Sequence, residues 1–309
     1  LHLSIRRQRQ MCIRDRFHAK DLGKARHEIF MKGMDTKAIV RWQLETDLRL
    51  ALNQDEFELY YQPIVNLQSL RIEGFEALVR WRSPTRGLIS PDNFISVAEE
   101  SGLIVPLGHW ILREACQQIQ LWRHQFPNLA KLQVSVNLSG RQFSQPNLVE
   151  QIRSVLMELS LTGDELKLEI TESMIINNVE DAIALLHELK SLGLKLSIDD
   201  FGTGYSSLSY LHRFPVDTLK IDKSFVSRLM GEQEQEKYTQ LVHTIITLGH
   251  NLKMNVIAEG LETEEQLKIL QSFHCEYGQG YFFAKPLLKD DATKLLTHHL
   301  QEGNTSSFP

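Results

Sequence analysis

Short β-rich runs alternate with helical patterns eight times along this chain, and that alternation constrains its fold more than any other feature. The runs fall at residues 59–65, 74–80, 133–138, 167–171, 195–199, 218–221, 255–259 and 278–283. Between the second and third lies a long helical stretch with Leu107, Ile111, Ala115, Ile119 and Trp122 on one face, and later gaps hold helical segments at 178–192 and 264–273. Eight strand–helix repeats over some 250 residues predict an α/β fold, a TIM-like (β/α)8 barrel. Residues 66–73 are too few for a crossover helix, so the first two strands should be antiparallel and the barrel irregular at its start.

Parity within the strands sorts the residues by chemistry. Val134 and Val136, Leu168 and Ile170, Leu196 and Ile198, Leu219 and Ile221, and Val256 and Ala258 share the face that should pack under the helices. The opposite face carries Ser135 and Asn137, Glu169 and Thr171, Ser197 and Asp199, Thr218 and Lys220, and Asn255 and Glu259. Barrel interiors are normally filled with branched apolar side chains, so a polar interior costs stability. Strand ends on one rim converge, which would place Glu76, Asn137, Glu169, Asp199, Asp200 and Glu259 around one cavity. Five carboxylates and an amide cannot all sit there ionised unless a cation neutralises them. Oxygen-only donors select Mg²⁺ or Mn²⁺ over zinc. Two ions about 4 Å apart, sharing a bridging carboxylate, would suit phosphoester cleavage. Lys220 is placed to hold the attacking water or the developing phosphate charge.

Seven motifs then appear in order: GFEALVRW around Glu76, VNLS from Val136, LEITES from Leu168, SIDDFGTGYSSL from Ser197, LKID from Leu219, AEGLE from Ala258 and QGYFFAKP from Gln279. From about Trp42 to Leu288 the chain closely resembles the EAL-domain family of cyclic di-GMP phosphodiesterases. The resemblance implies a cyclic-guanylate-specific phosphodiesterase that cleaves cyclic di-GMP to linear pGpG with Mg²⁺ or Mn²⁺. It implies that Glu76, Asn137, Glu169 and Asp199 bind a first ion, and that Asp199 bridges to a second held with Asp200 and Glu259. Glu259 remains either a metal ligand or a general base. Lys220 corresponds to a lysine that contacts the catalytic water, and Gln279 to a glutamine of the site. Gln62 and Arg80, with Asp222 and Tyr281, correspond to substrate-holding positions; Glu172 corresponds to a glutamate that steadies the loop after the Asp-Asp pair. Leu261 stands where the family usually has valine. A homodimer and a bacterial role favouring motility over biofilm are further implications, and a catalytically silent cyclic di-GMP sensor is the alternative from another functional class.

Charge and composition bound the partners. Thirty-four basic against 39 acidic residues leave a net charge of −5, which argues against gripping polymeric nucleic acid. No run approaches the roughly 18 consecutive apolar residues of a membrane span, so no membrane contact is expected from this stretch of chain. Cys12, Cys116 and Cys275 are odd in number and lack a CxxC pair, which points to a reducing cytoplasm. Residues 1–16 hold five arginines against one acid and read as a non-native or disordered tail, with a basic anchor as the other reading. Residues 17–34 resemble the end of a GGDEF domain, which suggests a linker after an upstream GGDEF or sensor domain. A helix is expected to begin near Asp35 as its cap; residues 35–300 would form the catalytic domain and 301–309 a flexible tail. The glycines at 202 and 204 read as turn formers, and the histidines as background.

Overall fold

The structure, a computed structural model, describes residues 32–127, 132–176, 178–203, 208–230 and 235–302. The chain divides into two units, residues 1–47 and 48–309. Of the first, only the helical segment from Lys32 is described; the anticipated tail at 1–16 and the linker up to residue 31 lie outside the described residues, as does 303–309 of the anticipated 301–309 tail, whose first two residues instead end the helix Lys289–Glu302. The segment from Lys32 forms a helix that spans Lys32–Ala51, so it begins three residues before Asp35.

Among its described residues the second unit has ten strands: β1 Phe57–Asn66, β2 Ile72–Ser83, β3 Gly87–Ile89, β4 Gln133–Asn137, β5 Leu166–Thr171, β6 Lys195–Phe201, β7 Thr218–Ile221, β8 Asn255–Glu259, β9 Tyr277–Gln279 and β10 Leu287–Leu288. They join in the order β10-β1-β9-β8-β7-β6-β5-β4-β2-β3, and a further β1–β2 pairing closes eight of them into a barrel. From β2 through β4 to β9 every neighbour is parallel, whereas β1 runs antiparallel to both β2 and β9. The irregular start expected from the short 66–73 connection is therefore present, with Gln62 directly opposite Glu76 across the β1–β2 ladder. β3 and β10 extend the sheet beyond the barrel and were not anticipated.

The apolar parity set lies under the helices: Val134, Leu168, Ile170, Leu196, Ile198, Leu219, Ile221, Val256 and Ala258 are all buried. Helix Ile104–Gln125 covers β1 and β2 through the anticipated face, with Trp122 edge-on to Tyr61 at 5.1 Å and tilted over Phe75 at 4.9 Å. Its indole N–H, which burial would otherwise leave unpaired, donates to Thr293 Oγ1 at 2.8 Å. Helices Val179–Ser191, Gln235–Asn251 and Glu264–Ser272 fall between later strands as the gaps required.

The last strand corrects the sequence expectation of 278–283. It ends at Gln279, and residues 281–283 form a turn in which Phe283 N–H donates to Gly280 O. The reason is a close backbone crossing: a Cβ at Gly280 would lie 2.1 Å from the Leu261 carbonyl, which accepts from Phe282 N–H. Cys116 and Cys275 are buried free thiols, and Cys12 lies outside the described residues.

Candidate active site

Strands β2 and β4 to β9 each deliver a polar residue to the cluster, and a lysine holds them together. Lys220 Nζ, near the end of β7 and 1% exposed, lies 2.6 Å from Glu169 Oε2, 2.6 Å from Glu259 Oε1, 3.1 Å from Asp199 Oδ1 and 3.4 Å from Glu76 Oε2. Glu76 is held from the other side as well: Asn137 Nδ2 donates to its Oε1 at 2.7 Å and Gln279 Nε2 to its Oε2 at 2.7 Å. The same Gln279 amide donates to Gln62 Oε1 at 2.9 Å, and Gln62 Nε2 donates to Ala284 O at 3.0 Å. This glutamine relay fixes the Glu76 carboxylate, and the part played by the Ala284 carbonyl has no signal in the sequence.

Two consecutive aspartates cannot both face inward from a regular strand, because successive side chains alternate. β6 solves this with an irregularity: its register with β7 shifts between Ile198 and Phe201, and Asp200 adopts φ +53°. Asp199, Asp200 and Glu259 consequently bring carboxylate oxygens within 4.8 Å of one another. Gly202, at φ +94°, continues the turn, and Thr203 Oγ1 donates to Asp200 O at 2.8 Å. Gly204 lies outside the described residues.

The electrostatics follow from burial and crowding. Burial, with Glu76 and Asp199 adding to it against Lys220, pushes the Glu169 carboxyl up to about 8. Burial likewise raises Glu259 to about 7, opposed by Lys220 and reinforced by Asp199 and Glu76. Asp200 is raised by partial burial and by the charges of Asp199 and Asp222. For Glu76 burial alone would raise the pKa, but Lys220, Gln279 and Asn137 together hold it below the usual carboxylate value. Lys220 is raised well above the ordinary lysine value: burial opposes its charge, and Glu169, Glu259, Glu76 and Asp199 outweigh it.

The donor set fits hard cations. One lysine cannot balance five clustered carboxylates, and two buried oxygens that face this interior, Glu169 Oε1 and Gln279 Oε1, have no hydrogen-bond partner. A buried acidic cluster able to hold metal is thus part of the fold.

The sequence profile of the EAL domain matches residues 45–286, most of the chain. The chain belongs to the EAL-domain family. This EAL domain is 41% identical over 272 residues to the cyclic di-GMP phosphodiesterase NbdA of Pseudomonas aeruginosa, covering 87% of this chain and 34% of that protein. It is 39% identical over 271 residues to the cyclic di-GMP phosphodiesterase PdeR of Escherichia coli, covering 88% and 40% respectively. The chain therefore spans about a third to two-fifths of the curated relatives it matches. Among solved structures, the PaMucR phosphodiesterase in complex with c-di-GMP superimposes with a TM-score of 0.77 at 40% identity, over 81% of this chain and 99% of that one.

The remaining anticipated residues of the EAL domain lie outside the lysine-centred cluster. Arg80, half-buried on the same face of β2 as Glu76, donates to Val79 O at 2.8 Å and lies 5.4 Å from the Tyr60 ring centroid. Burial lowers its pKa, against the opposing influence of Tyr60, Tyr281 and Glu76. Tyr281 is 58% exposed, with the Lys285 ammonium 5.5 Å from its ring centroid. Asp222 accepts from Ser224 N at 3.0 Å and caps the short helix Lys223–Val226. Glu172 opens the helix Glu172–Ile176 directly after β5. Lys167 shares the parity of Glu169 and is buried in the layer below, yet it is not among the residues anticipated above.

Proposed function

We propose that this EAL domain hydrolyses one phosphodiester of cyclic di-GMP to give linear pGpG, using Mg²⁺ or Mn²⁺ and two ions. The observation that carries this reading is Lys220 set among Glu76, Glu169, Asp199 and Glu259, with Asp200 adjoining, at the rim where barrel enzymes build their sites. Glu76, Asn137, Glu169 and Asp199 would hold one ion; Asp199, Asp200 and Glu259 would hold the other. Bound divalent ions supply a water of lowered pKa and charge stabilisation for the leaving oxygen. The chain's own contribution is to hold these donors rigid through the Gln62–Gln279–Glu76 relay and to place the Lys220 ammonium where charge develops. Glu259 is either a ligand of the second ion or the group that accepts a proton from water, beside a Lys220 that stays charged. Arg80 offers a guanidinium for a phosphate, and the exposed Tyr281 ring a face for a base; Asp222 adds an acceptor beside them. Glu172 steadies the segment after the aspartate pair.

On the same reading residues 35–300 are the catalytic domain of a cytoplasmic homodimer that works downstream of a GGDEF or sensor domain. A relative from Pseudomonas aeruginosa, 40% identical over 271 residues, is described as a bifunctional diguanylate cyclase/cyclic di-GMP phosphodiesterase, and supports that arrangement. No helix among the described residues is long and apolar enough to cross a membrane.

The test is incubation of the chain with cyclic di-GMP and Mg²⁺ or Mn²⁺, with chromatographic separation of products and Glu76→Ala alongside. Formation of pGpG that disappears with chelator or in the variant is the expected result. Cyclic di-GMP that binds yet stays intact would replace the enzyme reading with the sensor reading.

A further inference from the structure

Beneath the acidic layer the barrel is hollow. On the strand face that carries Asn137, Glu169, Asp199 and Lys220, the residues two positions earlier are Ser135, Lys167, Ser197 and Thr218. Barrels of this kind ordinarily fill that layer with large branched apolar side chains. Here Ser135 and Thr218 are small, and with Lys167 they line a cavity of about 300 Å³ at the N-terminal ends of the strands, with Lys253 and Asn255 exposed at its mouth. A volume near 300 Å³ is at the small end of ligand pockets.

The charge within this cavity is unbalanced at one place. Lys167 is only 7% exposed and lines the cavity, and its ammonium has neither a hydrogen-bond nor an ion-pair partner among the described residues. The acids nearest to it are already engaged: Glu169 binds Lys220 at 2.6 Å, and Asp217 binds Lys190 at 2.8 Å and Lys195 at 3.2 Å. Ser135 Oγ, also lining the cavity, is buried without a partner. Burial disfavours the Lys167 charge, and Glu169 and Asp217 offset this only in part; a buried hydroxyl lacking a partner adds to the cost. One small anion would satisfy both groups. Counting Lys167, Lys195 and Lys253 against Asp217 and Glu73, the lining carries one more positive than negative charge, which favours an anion.

We propose that this lower cavity is a second binding site, separate from the acidic rim, for a phosphate-sized oxyanion, free or as the head of a small phosphomonoester, held by Lys167 and Ser135. Hydroxyl and amide groups at Ser135 and Asn255 supply donors suited to phosphate oxygens, and the cavity opens away from the acidic rim, so the two sites fill from opposite ends of the barrel.

Calorimetric titration of the full chain with inorganic phosphate and with glycerol 3-phosphate tests this, in EDTA so that no divalent ion at the acidic rim can bind the phosphate. Saturable binding is expected. Lys167→Met should weaken it about tenfold or more. Lys253→Ala, on the surface and harmless to the fold, should weaken it about threefold, which keeps the test decisive if Lys167→Met does not fold. Glu76→Gln, on the other rim, should leave it unchanged. A tighter phosphomonoester would identify a phosphate head group as the ligand, and equal affinities a free anion. Absence of saturable binding at millimolar ligand, affinity unchanged in both lysine variants, or loss in Glu76→Gln alone would overturn the proposal.

Discussion

Lys220 is the residue on which the site depends, because one buried ammonium lies between four carboxylates. Removing one partner of a buried ion cluster leaves charge without compensation, so Lys220→Met should cost about 3–5 kcal/mol of stability in the metal-free protein at neutral pH and abolish turnover. Urea denaturation in EDTA measures the first effect, and an unchanged midpoint would contradict it. The same crowding sets a pH dependence. Glu169 and Glu259 have folded-state pKa values near 8 and 7, raised above their ordinary value, so the folded metal-free chain binds more protons than the unfolded one. Their favourable contribution is complete below the unfolded pKa and is lost as pH rises through 7 and 8, by a few kcal/mol in all. Glu169→Gln should flatten this dependence and be more stable than the parent at pH above about 8, as denaturant curves across pH would record. Metal affinity should rise over the same window, since the ligands must shed protons to bind.

At the scale of elements, two connections hold the barrel in register. Asp217, just before β7, accepts from Lys190 Nζ of helix Val179–Ser191 at 2.8 Å, from Lys195 Nζ at 3.2 Å and from Leu196 N at 2.9 Å. Its backbone N–H donates to Leu196 O and its carbonyl accepts from Asn255 N–H, both at 2.9 Å, so one residue ties β6, β7 and β8 together. Burial would raise its pKa, but Lys190 and the Leu196 N–H outweigh that and hold it below the usual carboxylate value. Asp217→Asn should therefore cost about 1–2 kcal/mol at pH 7, allowing for its partial exposure. The difference should vanish as pH falls through the depressed folded pKa, and thermal melts at pH 7 and at strongly acidic pH check both the size and the sign. Gly280, at the end of β9, is the second connection. A methyl group there meets the Leu261 carbonyl, a backbone atom that cannot step aside, so Gly280→Ala should destabilise the unit by about 3 kcal/mol or more, read from the denaturation midpoint. The parity of strands β4 to β8 was legible because one wrong-facing residue would have buried a charge beneath the helices. The end of β9 was not, since QGYFF reads equally as strand or turn until the Leu261 backbone is placed against Gly280.

At the scale of the molecule, a closed barrel with an ion-binding rim gains stability from its ligand by mass action. Divalent ion at about 100 times its dissociation constant should add about 2.7 kcal/mol, and at roughly 2–4 °C per kcal/mol for a domain of this size the melting temperature should rise by about 5–10 °C. Differential scanning with Mg²⁺ or Mn²⁺ against EDTA measures the rise, and Glu76→Ala should remove it. An equal rise in that variant would show that the ions act elsewhere on the protein.

The order of the motifs and the period-2 parity of the strands determine the barrel, its reversed first strand and the membership of the acidic rim, because burial allows only one face of each strand to pack under helices. Tertiary structure alone decides how these residues meet. The irregularity in β6 turns Asp200 toward its neighbour, the glutamine relay orients Glu76, and Lys220 is placed at 2.6–3.4 Å from four carboxylates that are 21 to 144 residues distant in sequence. The hollow layer around Lys167 also belongs to the tertiary structure. A run of small polar residues records what each strand carries, but whether their side chains fill a space or leave one depends on the distance across the closed barrel.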